Sequence, residues 1–402
     1  MKVAGISTKK ILLLMGVVSI AVLILAIIWH NLNFSFFVGL LFNDAKEFAS
    51  KGTITSNFMP IGYSGFLGSC MKIGGMNGIP ACQALIYIGV LLAAFWFLKL
   101  RGVSGVLLLS GILVIAFHPL FLLNIWRIHD GNLTVLLLLG FLAAGLSFLR
   151  FRNIRSVLLL GVFTGLLFTV RQNTIPLFLV VLFFLSKNKT GENNNRLARI
   201  ALFLASTAVL MAVVNIVVKQ TPFYFGRQGA YNFFAGTNEY AAKYLLSDFS
   251  GENSLGEALG ARGFPSAEKF NRWFSFPSEK YNQFALEFIK NHPFEYLKLT
   301  GLKFFTLLRP GYHAVPGAEA GWRENLKQFA KIILAAPFFV WLFFVYKARK
   351  KFFERENLFV FLSIVFYILP FLIANADPRY RFPLDIVFIA DSFCRAKQFF
   401  TA

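Results

Sequence analysis

Asp44 and Glu47 stand three residues apart in Asn43-Asp44-Ala45-Lys46-Glu47-Phe48, a spacing that puts both carboxylates on one face of a helix. Paired carboxylates can do general acid/base work. The alternative is a surface helix capped by Asn43 or Asp44, with Glu47 favouring its positive end. His129-Asp130, with Arg127 two residues before His129, opens an apolar run. An ionisable group there is either functional or paired, unless Asp130 only caps a helix. Arg171-Gln172-Asn173 forms a polar turn between two apolar segments; its arginine either snorkels to headgroups or receives an anion. In Asp377-Pro378-Arg379-Tyr380-Arg381-Phe382-Pro383, two guanidiniums flank a tyrosine. Arginines can grip a phosphate through paired N–H donors, a geometry lysine cannot copy. Lipid headgroups would use the same pair.

Something must hold these residues at a surface, and the composition says what. Of 402 residues, 57% are hydrophobic, 15% are charged and 50 are phenylalanine; mean hydropathy is +0.63. Such a chain would expose far more apolar surface than water tolerates, so lipid is its solvent. Apolar runs bounded by polar or basic residues mark the spans: Ile11 to Trp29, Ala81 to Leu98, Val103 to Leu123, Leu133 to Phe148, Ser156 to Val170, Thr174 to Ser186, Ala201 to Val218, Lys331 to Tyr346, Asn357 to Ile373 and Pro383 to Lys397. The expected fold is therefore an all-α polytopic membrane protein of about ten transmembrane helices. Lys and Arg near span ends favour the cytoplasm. Lys9/Lys10, Lys99/Arg101, Arg150/Arg152/Arg155, Lys187/Lys189, Lys347/Arg349 and Arg395/Lys397 all fall on one side if all these spans are real, which puts both termini inside. The first run lacks a small-x-small cleavage site after Trp29 and reads as a retained anchor.

Three regions follow: a transmembrane module over 1–218 with a first outward loop over 30–80, an extracytoplasmic region over 219–328, and a second transmembrane module over 329–402. In the middle region, Tyr281, Phe284, Ala285 and Phe288 recur at helical spacing after Ser278, a candidate N-cap. Asn291-His292-Pro293 ends that helix and starts another. The next helix places Leu297, Gly301, Phe305 and Leu308 on one stripe, away from Lys298 and Lys303. It is expected to lie in the membrane interface.

The formal charge of +21 suits cytoplasmic clusters against anionic headgroups, and the outward excess suits an anionic substrate. Nucleic acid is not expected as a partner. Cys70 and Cys82 both fall outside; we expect them unpaired, as small apolar residues in a packed interior, with pairing in an oxidising compartment as the alternative. The five histidines show no metal-ligand spacing. No P-loop, dinucleotide fingerprint or serine nucleophile elbow occurs.

The order of several loose motifs resembles the GT-C superfamily of polytopic glycosyltransferases, in particular bacterial glycosyltransferase family 39, the protein-mannosyltransferase and aminoarabinose-transferase relatives. The resemblance rests on an acid in the first outward loop, then Pro60-Ile61-Gly62-Tyr63-Ser64-Gly65-Phe66-Leu67, the Gly161 to Pro176 stretch, Phe234-Ala235-Gly236-Thr237-Asn238, the Phe284 to Arg309 region and Arg379-Tyr380-Arg381-Phe382-Pro383. It departs from relatives at Ala45 and Ser64, and in carrying Asp385 and Asp391 within a final span. The resemblance implies a polyprenyl-phosphate-linked sugar donor and an extracytoplasmic glycan, lipid or protein acceptor, in a bacterial cytoplasmic membrane. It implies catalytic roles for Asp44, Glu47 and Asp130. Arg171, Arg379, Tyr380 and Arg381 would meet the lipid phosphate, and Pro60, Gly62, Tyr63 and His129 would form a substrate loop. A divalent metal stays open as a cofactor. A carrier of lipid-linked sugars, or a non-catalytic envelope-assembly subunit, is the alternative.

Overall fold

The computed structural model describes residues 7–32, 40–123, 125, 129–187, 194–245, 250–264, 276–308, 322–376 and 380–400. Among these there is no strand, and the fold is all-helical. In chain order the α-helices are α1 (Thr8–Leu32), α2 (Leu40–Lys51), α3 (Ile61–Gly74), α4 (Gly78–Leu100), α5 (Gly105–Ala116), α6 (Pro119–Leu123), α7 (Gly131–Phe151), α8 (Ile154–Val170), α9 (Leu177–Ser186) and α10 (Asn194–Lys219). They continue as α11 (Gln228–Ala235), α12 (Ala241–Tyr244), α13 (Ser250–Ala261), α14 (Ser278–Asn291), α15 (Pro293–Leu308), α16 (Trp322–Lys347), α17 (Arg355–Ile373) and α18 (Phe382–Phe400).

Among the described residues, four stretches are long and apolar enough to cross a membrane: Ile61–Leu100, which contains the α3–α4 turn, Gly131–Phe151, Arg196–Lys219 and Arg355–Ile373. Gly105–Ala116, Ile154–Val170, Gln172–Ser186 and Leu334–Lys347 are apolar but shorter. Val103 to Leu123 is broken at Phe117-His118, because Pro119 cannot continue α5 and instead opens α6. Thr174 to Ser186 yields only the 10 residues of α9 after a 3-10 turn, about 15 Å of helix against a hydrocarbon core of about 30 Å. The region expected as the first outward loop contains a helical hairpin of α2 against α3, so the Pro60-Ile61-Gly62-Tyr63 segment opens a helix rather than lying in a loop.

α18 is the buried axis, packed by α4, α5, α7 and α16. Its odd acids are explained by that packing. Asp385 and Asp391 are both 0% exposed; Asp385 pairs with Arg381 at 2.9 Å and Asp391 with Arg395 at 2.6 Å. Trp341 on α16 donates Nε1–H to Asp391 at 2.9 Å. Close by, Glu356 at the start of α17 accepts from Arg101 at 3.2 Å and Arg150 at 2.7 Å, so three helix ends meet on one carboxylate. Between α7 and α8 the chain turns in two residues: Arg152 takes the left-handed region at φ 50, and Asn153 caps α8 by accepting from the Ser156 N–H at 2.9 Å. A second, smaller core gathers Phe58, Tyr231, Phe234, Leu255, Leu259 and Tyr281 from α11, α13, α14 and the loop before α3.

One expectation is overturned, and α15 has a buried side that its apolar stripe does not mark. On α15 the buried residues are Leu299, Lys303, Thr306 and Leu307, whereas Leu297 and Phe305 are 65% and 69% exposed. The apolar stripe faces outward, as suits a lipid-contacting helix, and Lys303 points into the protein. Cys70 and Cys82 form a disulfide. The turn between α3 and α4 brings their Cα atoms to 6.2 Å, within the range a bridge requires. Ser278 is the first residue of α14 rather than its N-cap, which is Pro277, and its hydroxyl has no partner among the described residues.

Candidate functional site

Asp44 lies inside α2, not at its cap, and is 5% exposed. Burial, with Glu47 adding to it, pushes its carboxyl up to about 6; Lys219 and a hydrogen bond with Ser56 pull the other way. For Asp44, desolvation outweighs the attraction of the nearby Lys219. Asp44 forms no ion pair among the described residues. The Lys219 amine is fixed instead by the carbonyls of Ile54 at 2.8 Å, Thr55 at 3.2 Å and Ser56 at 2.8 Å, and by Asn57 Oδ1 at 2.8 Å.

Glu47 is bound differently. It accepts from the Thr55 N–H at 3.0 Å, the Thr55 hydroxyl at 2.8 Å and Lys51 at 3.3 Å. Burial opposes its charge, but these bonds win and hold it below the usual carboxylate range. Its place is that of a clip on the loop after α2.

Asp130 and Arg171 are brought together. The guanidinium straddles the carboxylate, Nε to Oδ2 at 2.6 Å and Nη2 to Oδ1 at 2.9 Å. Nη1 donates to the Tyr367 hydroxyl at 3.1 Å, and the Tyr380 ring lies 5.4 Å from the guanidinium carbon. Asp130 makes no side-chain cap bond to α7, so the capping alternative gives way to the paired one. His129 Nδ1 accepts from the Gly131 N–H at 2.9 Å and lies 3.5 Å from Asp130 Oδ1. Tyr63, 0% exposed, joins the cluster through the His129 backbone and accepts from Gln83 Nε2 at 2.6 Å.

Gly62 shows why a small residue precedes Tyr63. A Cβ there would sit 2.7 Å from the carbonyl carbon of Thr169 and 2.8 Å from its oxygen, backbone atoms that cannot yield. Gly62→Ala is expected to wedge α3 from α8 and destabilise the fold by about 1–3 kcal/mol; urea or thermal unfolding in detergent measures it. Pro60 precedes α3 as its boundary residue.

Arg381 is placed apart from Arg171. It is 4% exposed, donates to the carbonyls of Leu308 and Leu334, and pairs with Asp385. Those partners tie α15, α16 and α18 together and occupy the guanidinium expected to grip phosphate. Arg379, its companion in that expectation, lies outside the described residues, as do Arg127, Asp377 and Pro378.

No described pocket is lined by Asp44, Asp130 and Arg381 together. A shallow cleft lies between Ile61, Phe168, Thr169, Gln172, Asn215 and Tyr224. Tyr224 is within electrostatic reach of Asp44, and Gln172 follows Arg171, so this cleft sits between the two charged centres. A shallow, greasier groove runs past Phe304, Leu308, Phe371, Tyr380, Arg381 and Phe388. Among the described residues, no three His, Cys, Asp or Glu side chains gather to hold an ion.

Lys219, Tyr224, Tyr367 and Gln83 carry much of this geometry without having been singled out by the sequence motifs. Lys219 meets Ile54 across 165 residues, a distance that leaves no local pattern. By contrast, Arg381–Asp385 and Asp391–Arg395 are four apart on one helix, the helical ion-pair spacing that could have revealed them. No protein-family model, curated protein or solved structure matches this chain.

Proposed function

We propose that the chain is a GT-C-like membrane glycosyltransferase, crossing a bacterial cytoplasmic membrane about ten times with both termini inside. It moves a sugar from a polyprenyl-phosphate donor to an extracytoplasmic hydroxyl or amine. The observation that carries this reading is Asp44: a buried carboxylate without an ion pair among the described residues, pushed up to about 6. A general base works best with a proton affinity near the operating pH. Asp44 takes the proton from the acceptor as its oxygen or nitrogen bonds to the anomeric carbon. The bond from that carbon to the phosphate oxygen breaks, and its electron pair leaves with polyprenyl phosphate, so the anomeric centre inverts. Arg171, held by Asp130 and Tyr367, stands with Tyr380 on the leaving-group side, where a fixed cation stabilises developing charge. Arg381 anchors helices, and Glu47 secures the loop.

The test is incubation of the purified protein in detergent with a panel of polyprenyl-phosphate sugars and simple acceptors. We expect release of polyprenyl phosphate, with a rate that is flat above pH 6 and falls about tenfold per pH unit below it as Asp44 takes up its proton. Donor that crosses a vesicle bilayer intact, with no cleavage in any condition, would support the carrier instead.

A further inference from the structure

Lys303 is 0% exposed, and its one hydrogen bond among the described residues goes to the Ile373 carbonyl at 3.1 Å. The Tyr296 ring lies 5.5 Å from the amine. The same carbonyl, at the end of α17, accepts from the Thr237 hydroxyl at 3.1 Å and the Tyr296 hydroxyl at 3.4 Å. Three donors thus converge on an oxygen with two lone pairs; the longest, from Tyr296, is the weakest.

The Phe234-Ala235-Gly236-Thr237-Asn238 segment is built for this contact. A Cβ at Gly236 would run into the Ala374 carbonyl, so only glycine permits the approach. Asn238 holds the turn, donating to the Phe234 carbonyl at 2.7 Å and accepting from the Tyr240 N–H and the Ser254 hydroxyl, both at 2.9 Å. On the α17 side, Phe371 stacks on Tyr380 at 4.6 Å, and Tyr367 bonds Arg171.

We infer that Lys303, Thr237 and Tyr296 form a polar latch that docks the α11–α15 region onto the end of α17 and so positions Tyr380 over Arg171. What the docked geometry serves rests on the transferase reading; the docking itself needs no substrate.

Burial pushes the Lys303 amine from 10.5 down to about 7. Tyr296 is the titratable side chain lying against it. The other elements packed on α15, namely α12, α14 and α17, bring no charged group into its electrostatic reach among the described residues. The sign follows: between about 7 and 10.5 the released amine binds a proton that the docked amine does not. Docking is therefore tightest at high pH, loosens as pH falls toward 7, and is flat below.

Hydrogen exchange on the intact protein, corrected for intrinsic rates, tests this without activity. In the unmodified protein, protection around Thr237, Ala374 and Tyr380–Leu384 should rise together, by up to about tenfold per pH unit from pH 7 to 9. Lys303→Met should abolish that slope, and Lys303→Gln, which keeps a donor without a titration, should do the same if Lys303→Met folds poorly. Thr237→Val should lower protection at both pH values and keep the slope. A slope that survives both Lys303 variants overturns the latch. Protection at Tyr380–Leu384 that stays constant while Thr237 and Ala374 loosen overturns the positioning claim. Loss of transfer with the exchange pattern intact would instead strike the transferase reading.

Discussion

Asp44→Asn is expected to lower sugar transfer by about 10²–10⁴-fold and to make the folded chain harder to unfold at pH 8. The two effects have one cause. A carboxyl whose proton affinity rises from 3.8 to about 6 on folding costs up to about 3 kcal/mol once it is charged. The folded state holds that proton more tightly, so the favourable contribution is complete below 3.8 and is lost as pH rises through 6. Asparagine is neutral at every pH, keeps an acceptor for Ser56 and leaves Lys219 in its cage of carbonyls. Its gain in thermal midpoint should be present at pH 8 and vanish near pH 4. An Asp44 that served only the fold would show the reverse, a loss of stability with activity following it down. The decisive measurement is therefore paired: initial rate and unfolding midpoint on the same preparation at both pH values. Full transfer by Asp44→Asn removes Asp44 from the base role whatever the midpoint does.

The parts of this fold that were legible are those where one short window carries the signal. Helices around Gly131–Phe151 and Arg355–Ile373 announce themselves by hydropathy, and Asn291-His292-Pro293 marks a helix junction through proline geometry alone. Legibility fails where apolar character has two meanings. Phe117 extends an apolar run, yet the helix stops there, because hydropathy does not report Pro119 steering the next turn. On α15 the apolar stripe and Lys303 do lie on different faces, but the spacing does not show that the lysine's face is the one packed against the protein. The site is less legible than the fold. Asp130 meets Arg171 across 41 residues and Tyr367 meets Arg171 across 196, so charge partners chosen by tertiary packing leave no trace in spacing. Cys70 and Cys82 are an intermediate case: their separation of 12 residues suits a bridge only once the turn between α3 and α4 is known.

Arg171→Ala is expected to be the most damaging single substitution in the cluster, with a loss of about 2–4 kcal/mol, because it strips the half-buried Asp130 carboxylate of the Arg171 counter-charge. Loss of activity in that variant would therefore say nothing about chemistry. The informative variant removes both charges. Asp130→Asn with Arg171→Met replaces an ion pair by neutral groups of similar volume, a change that is often neutral for stability, and Tyr380 keeps an apolar surface to rest on. We expect the double variant to recover the unfolding midpoint to within about 1 kcal/mol of the unmodified protein while transfer stays about 10²-fold down, since a cation facing the departing phosphate is worth that much. Arg171→Lys sharpens the comparison. It restores a positive charge but cannot reproduce the side-on fork through Nε and Nη2, so it should regain part of the rate with a poorer midpoint than the double variant. If the double variant transfers sugar as well as the unmodified protein, the pair is a fastener between α7, α8 and α17, and the cation serving the leaving group must be sought elsewhere at that end of the bundle.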